Sequence, residues 1–260
     1  MVLSKRTVVT ISHDLTKAAY SLTLNEKRIL LKGAALLDSY GDAGQMIEIN
    51  AAECAEFYGM NKKSAYRQLA ESVERLWDRT LVLQDGTRLR WVISCKYEEG
   101  SILLKFHPDL NPHLLDLQSR FTRYLLTRAS SFKLVYTWRL FELVMQYKTT
   151  GIFRIDLDEF KSTLDIPEFY SGDFARIRVR VIEPAVKEIR EKDGLKVTWK
   201  PIKKGRSVVA LEFKFPVEPQ QELFKPATID KAFIEKHARP GESYAQAEKR
   251  LKEEAKKQTD

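Results

Sequence analysis

Three arginines recur at alternate positions, Arg176, Arg178 and Arg180, and Lys187 follows them on the same stretch. A guanidinium offers its donors in a rigid fork that matches guanine O6 and N7 and the oxygens of a phosphate. From Tyr170 to Arg206 there are 11 Lys and Arg against 5 Asp and Glu, an excess of +6 out of the +8 carried by the chain. The stretch ends in Lys203-Lys204-Gly205-Arg206, where glycine permits a tight turn and three cations crowd the tip. An earlier, more mixed set comprises Lys62, Lys63, Ser64, Arg67, Gln68 and Arg75. Cations mixed with amide and hydroxyl groups suit direct readout of base edges. The simpler alternatives are a solvated helix face with an Arg67–Glu71 pair and an exposed basic hairpin tip.

Other chemistry does not assemble. There is no GxxxxGK[ST] loop for a nucleotide and no HExxH for zinc, and the histidines His13, His107, His113 and His237 are scattered. A nicking enzyme needs a His-x-His metal site beside a nucleophilic tyrosine, and no His-x-His occurs. Cys54 and Cys95 are far apart and form no CxxC pair, which speaks against a disulfide framework or structural zinc. The expectation is therefore no catalytic residue, no metal and no cofactor. Polar Ser12, His13 and Asp14 arrive before any long apolar stretch, so no signal peptide is expected. No segment approaches the ~20 apolar residues of a membrane span, so the expected location is the bacterial cytoplasm, with no membrane partner.

The elements that must position these side chains follow one plan, and it occurs twice. Thr23 to Leu37 has helical apolar spacing and opens on a Thr23–Glu26 capping box. Met46 to Asn50 alternates as a strand, Ala51 to Tyr58 forms a short helix, and Gly59-Met60-Asn61 is a turn with Asn61 as N-cap. A longer helix runs from Lys62 to about Trp77. Asp85-Gly86 then joins Leu81–Leu83 to Leu89–Ile93, and Glu98 to Gly100 precedes Ile102–Phe106. The order returns as a helix from Tyr136 to Lys148, a strand from Ile152 to Leu157, and a short helix from Asp158 to Leu164 capped by Asp158. A helix from Asp173 to about Lys192 and a hairpin of Leu195–Ile202 with Val208–Phe215 complete it.

Helix, strand, short helix, turn, longer helix and hairpin make a winged helix, so the predicted fold is α+β with two tandem winged-helix domains and a C-terminal tail. The expected divisions are 1–120, 121–216 and a charged, partly helical tail over 217–260. In the first longer helix Ala65, Leu69, Val73 and Leu76 form the core face. In the second, Phe174, Ile177, Val181, Ala185 and Ile189 do, with Arg176, Arg180, Glu183 and Lys187 opposite and Arg178 at the edge. Pro184 removes one helical hydrogen bond, and either a break near Glu183 or a kink is expected.

The chain resembles the iteron-binding plasmid replication initiators. The matching stretches are DLTKAAYSLTLNEKRILL (14–31), LQSRFTRY (117–124), YTWRLFELVMQY (136–147), IRVRVIEPAVKEI (177–189) and KKGRSVVALEF (203–213). The resemblance implies two winged helices whose monomers bind direct repeats at an origin and whose dimers repress the protein's own gene. It also implies host replication initiator and helicase as partners. On it, Arg178, Arg180 and the Lys203–Arg206 turn fall on the basic DNA-reading positions of the second domain, and the Lys62–Arg75 helix is the first domain's recognition helix. The tail departs from the family's pattern. A transcriptional regulator binding an inverted repeat as a two-fold dimer remains the alternative.

Overall fold

The computed structural model describes residues 7–17, 21–37, 44–83, 85–114, 121–218 and 242–257. The first half opens with β1 (Val8–Ser12), α1 (His13–Lys17) and α2 (Leu24–Leu36). Thr23 caps α2 in a full capping box, its side chain accepting from the Glu26 N–H while Glu26 accepts from the Thr23 N–H at 2.8 Å. Then come β2 (Ile47–Asn50), α3 (Ala51–Tyr58) and α4 (Lys62–Asp78). Asn50 caps α3, Gly59 closes it in the left-handed region at φ 62°, and Asn61 caps α4 by accepting from the Lys63 N–H at 3.0 Å.

Two hairpins follow, β3 (Thr80–Val82) with β4 (Arg88–Arg90), and β5 (Val92–Glu98) with β6 (Ser101–Phe106). The expected strand Leu89–Ile93 is divided between them. Trp91, fully buried, forms the bend at which the chain leaves one sheet and enters the other. β6 pairs with β2 as well, giving a three-stranded sheet in the order β2-β6-β5. After α5 (Asn111–Leu114), β7 (Phe121–Leu125) pairs antiparallel with β1, from Val8 opposite Leu125 to Ser12 opposite Phe121. The chain that leaves the first half thus returns to its first strand.

The second half contains α6 (Leu126–Ser130), α7 (Val135–Gln146), β8 (Ile152–Asp156), α8 (Leu157–Thr163) and α9 (Glu168–Ser171). α8 begins one residue earlier than expected, with Asp156 and not Asp158 at the cap. Asp158 sits in the first turn, where its charge complements the helix dipole and pairs with Lys161 at 3.0 Å. The long helix is composite: α10 (Phe174–Ile177), a π-turn (Arg178–Ile182) and α11 (Glu183–Lys192). The helix continues through Pro184 without a break, and in the turn before it the Glu183 N–H reaches back five residues to the Arg178 carbonyl. The widened turn accommodates a residue that cannot donate. β9 (Thr198–Lys204) and β10 (Ser207–Lys214) form the closing hairpin, and the sheet order is β8-β10-β9. Pro201 is tolerated because β9 is the edge strand.

One apolar core runs through residues up to Glu218, which form a single compact unit. Tyr58 of α3 meets Trp138 of α7 at 6.3 Å, and Trp138 and Phe141 pack on Phe132. Beneath the aromatics lies a buried polar network. Lys27 Nζ donates to Glu142 Oε2 at 2.7 Å, Tyr124 donates to Glu142 Oε1 at 2.9 Å, and Trp138 Nε1 donates to Tyr124 at 3.1 Å. Such a network is tolerated in a core only when its members find partners.

Residues 18–20, 115–120 and 219–241 lie outside the described residues, and with them parts of the 14–31 and 117–124 stretches and most of the appended segment from 217. Within that segment α12 (Tyr244–Lys257) is helical and belongs to a second unit.

Candidate nucleic-acid interface

In each half a short helix and a turn deliver a longer helix whose outer side is polar. On α4 the core face is as the spacing predicts: Ala65, Leu69, Val73 and Leu76 are buried. Lys62 and Lys63 are exposed at its N-terminus, where the helix dipole favours an anion, so a phosphate there satisfies both the lysines and the dipole. Arg67 is 76 % exposed and only loosely paired with Glu71, at 4.0 Å.

Three of the expected side chains on α4 are engaged within the protein. Gln68 donates to Ser64 at 2.9 Å and faces Asn25 of α2. Arg75 donates from Nε to Glu26 Oε1 at 2.8 Å and from Nη2 to Ser72. Arg79 lies 2.8 Å from the other oxygen of Glu26, a residue with no exposed surface. Glu26 therefore caps its own helix and fastens the far end of α4 to it. The outward cations of α4 are Lys62, Lys63 and Arg67, together with Arg75, which is 45 % exposed but tied to Glu26.

On the second reading helix Asp173 accepts from the Ala175 N–H at 2.8 Å, fixing where the helix starts. Arg176 is held near that start, 3.6 Å from Asp173 and donating to the Phe169 carbonyl at 3.2 Å. Arg178 lies 3.5 Å from Glu183, and both are half exposed. Arg180 is exposed, and among the described residues no carboxylate lies within ion-pair distance of it. Lys187 pairs loosely with Glu191 at 3.8 Å.

The β9–β10 hairpin turns at Gly205, φ 63°, a backbone shape that a side chain would strain, and leaves Lys203, Lys204 and Arg206 exposed. Between this wing and the reading helix is an open groove of about 610 Å³. Arg178, Lys203 and Arg206 line it, with Phe174 and Trp199 on its wall. The structure thus brings Arg178 together with Lys203 and Arg206, with Glu183 beside them and Lys204 outside the groove. Lys187 lies instead on a separate groove of about 500 Å³ with Arg190.

Behind the wing, Glu212 of β10 stands directly opposite Arg154 of β8 and Lys200 of β9. The Lys200 ammonium, 3.0 Å away, and the Arg154 guanidinium at 2.6 Å hold this carboxyl below the ordinary glutamate range. The three side chains tie the sheet together across its strands. Arg128 does the same for the reading helix. It makes two bonds to Asp193 at its C-terminal end, at 2.7 and 2.8 Å, and two to Glu218, at 2.6 and 2.8 Å.

The two wings differ in charge. The β5–β6 tip of the first half is Glu98-Glu99-Gly100, exposed, with Lys96 turned onto Glu98 at 2.8 Å. A carboxylate tip repels a polyanion, whereas the cationic tip of the second wing attracts one.

Among the described residues no group of three or more His, Cys, Asp or Glu is placed to hold a metal ion, and no helix is long and apolar enough to cross a membrane. One exposed residue in the middle of the second reading face escaped the sequence pattern: Val179, 49 % exposed. Its only signal was a position between two outward arginines.

Two helix-turn-helix units, each followed by a β-hairpin wing, define a tandem winged-helix protein. Its first half matches the family model described as "Initiator Replication protein, WH1" over residues 8–145, and its second half matches "Initiator Rep protein, WH2" over 156–215. The chain belongs to this family of replication initiator proteins.

Among proteins it resembles is a replication initiation protein of Escherichia coli, 25 % identical over 230 residues, covering 83 % of this chain and 72 % of that one. A probable replication protein of Bifidobacterium longum is 22 % identical over 182 residues, 66 % of this chain and 61 % of that one. Among solved structures, the Pi initiator protein in complex with iteron DNA superimposes with a TM-score of 0.72 at 25 % identity, covering 83 % of this chain and 99 % of that one.

Proposed function

We propose that the protein binds double-stranded DNA at direct repeats in a plasmid origin, placing α4 and the Arg176–Lys192 helix in successive major grooves. The observation that carries this is the groove of the second half, where Arg178 on the reading helix faces Lys203 and Arg206 on the wing. A helix in the major groove with cations reaching the flanking backbone is what that arrangement fits. A solved relative, matched over 83 % of this chain and 99 % of its own, is a complex with iteron DNA. In this reading Lys62, Lys63, Lys203, Lys204 and Arg206 bind phosphates, and Arg67, Arg178 and Arg180 reach base edges. Arg176 and Lys187 flank the reading face, and Ser64, Gln68 and Arg75 hold α4 at its angle.

Arrayed molecules bend the repeats and strain a neighbouring AT-rich segment towards opening. The protein performs no bond chemistry itself and works in the bacterial cytoplasm. A second copy for repression of its own gene, and the host initiator and helicase for loading, are the partners this role requires.

Footprinting of the purified protein on the DNA upstream of its gene at moderate salt tests the reading. Regularly phased protection over several direct repeats is the expected result. Protection of a single palindrome instead moves the function to gene regulation. With six to ten phosphate contacts, affinity should fall about 10³- to 10⁵-fold between 50 and 200 mM salt. A flat salt profile overturns groove binding.

A further inference from the structure

The exposed run Arg178-Val179-Arg180 is one residue longer than the runs in the two turns that follow it. Ile177 is buried, then Val181 with Ile182, then Ala185 with Val186, then Ile189. Between the later buried positions only Glu183-Pro184 and Lys187-Glu188 face outward. The longer run lies within the widened turn Arg178–Ile182, while the buried positions keep a four-residue step through it, from Ile177 to Val181 to Ala185 to Ile189. The run sets a branched apolar side chain between two guanidiniums at the centre of the reading face.

A single exposed valine is ordinary on a protein surface. This one occupies a place where a helix prefers Lys, Glu or Arg, and where its neighbours are charged. β-Branching leaves it close to one rotamer in a helix, so its methyl groups are fixed before any ligand arrives. The only apolar group on the major-groove edge of DNA is the C5-methyl of thymine. The arrangement is polar, apolar, polar, and it complements a thymine flanked by acceptor-rich groups.

We infer that Val179 is a specificity residue that packs on the C5-methyl group of one thymine, between the contacts of Arg178 and Arg180. This rests on the proposed binding of direct repeats and adds what part of a base the second domain reads. Val179 lies inside the widened turn Arg178–Ile182, so the local backbone there sets the angle at which its methyl groups are presented.

The test replaces the thymines of one repeat by deoxyuridine, one at a time, in a duplex otherwise unchanged. Wild type and Val179→Ala are titrated onto each duplex and onto random-sequence DNA. At one position, loss of the methyl should weaken wild-type binding about four-fold, the effect of exposing one methyl group. Val179→Ala should be insensitive at that position and unchanged in its response elsewhere. Comparing two DNAs with one protein preparation cancels any difference in folded fraction. The inference is overturned if no uracil weakens the wild type, or if Val179→Ala responds to every uracil as the wild type does. Should neither protein prefer the repeat to random DNA, the underlying reading fails, and the inference with it.

Discussion

Lys27 and Glu142 form an ion pair at 2.7 Å with both side chains 99 % buried, and 115 residues of chain separate them. Lys27 is on α2 of the first winged helix and Glu142 on α7 of the second. The pair therefore spans the joint between the two halves. Its charges are costly to desolvate, so its worth is less in net stability than in fixing one arrangement. Removing one partner is a different matter, because the other charge stays buried. Glu142→Gln should lower stability by about 3–5 kcal/mol in denaturant titration. The double replacement Lys27→Met with Glu142→Leu should recover most of that loss. If the single variant is as stable as wild type, the pair is not sealed from water as described.

Two arginines on α4 should separate function from stability. Arg67 points to solvent, whereas Arg75 is bonded to the fully buried Glu26. Arg67→Ala is expected to leave the melting temperature unchanged and to weaken DNA binding by ~1–3 kcal/mol. Arg75→Ala should destabilise the first domain by ~1–3 kcal/mol, as removal of a partner from a buried acceptor does. Melting curves and binding isotherms on the same preparations decide it; matching behaviour of the two variants contradicts the placement of Arg75.

Arg180, which no described carboxylate engages, is free to be spent on DNA. Arg180→Ala is expected to lose ~1–3 kcal/mol on the specific repeat and much less on random sequence. Equal losses on both assign it to phosphate.

Much of this architecture was legible in the sequence because its determinants are local. The Thr23–Glu26 box, the Asn61 cap and the apolar spacing of α4 are each contained within a turn or two, and each forms as the spacing predicts. Arg75 could not be read that way. Its partner lies 49 residues upstream, and Glu26 already had a sufficient local role in the capping box. The π-turn was hidden for a related reason. Pro184 announces a missing donor, but whether the chain breaks, bends or widens depends on how the buried side chains of both flanking turns find the core.

The sheet behind the second wing should respond to acid. Glu212 titrates below the ordinary glutamate range in the folded protein, through Lys200 and then Arg154. A carboxyl depressed on folding adds stability that is complete above its unfolded value and is lost as pH falls through its folded value. Glu212→Gln should thus be less stable than wild type at neutral pH, with the gap closing on acidification through and below the ordinary glutamate range. Denaturant midpoints across that interval measure it, and a gap that stays constant with pH excludes the ionised carboxyl as its source.

The unlike wing tips, Glu98-Glu99 in one half and Lys203, Lys204 and Arg206 in the other, divide the charge of the molecule unequally between its halves. A duplex backbone is equally negative in both directions along its axis, so such tips cannot tell one direction from the other, and that choice is left to base edges. What the tips set is where the salt sensitivity of binding should reside: in the second half, whose wing alone among the two carries cations at its turn.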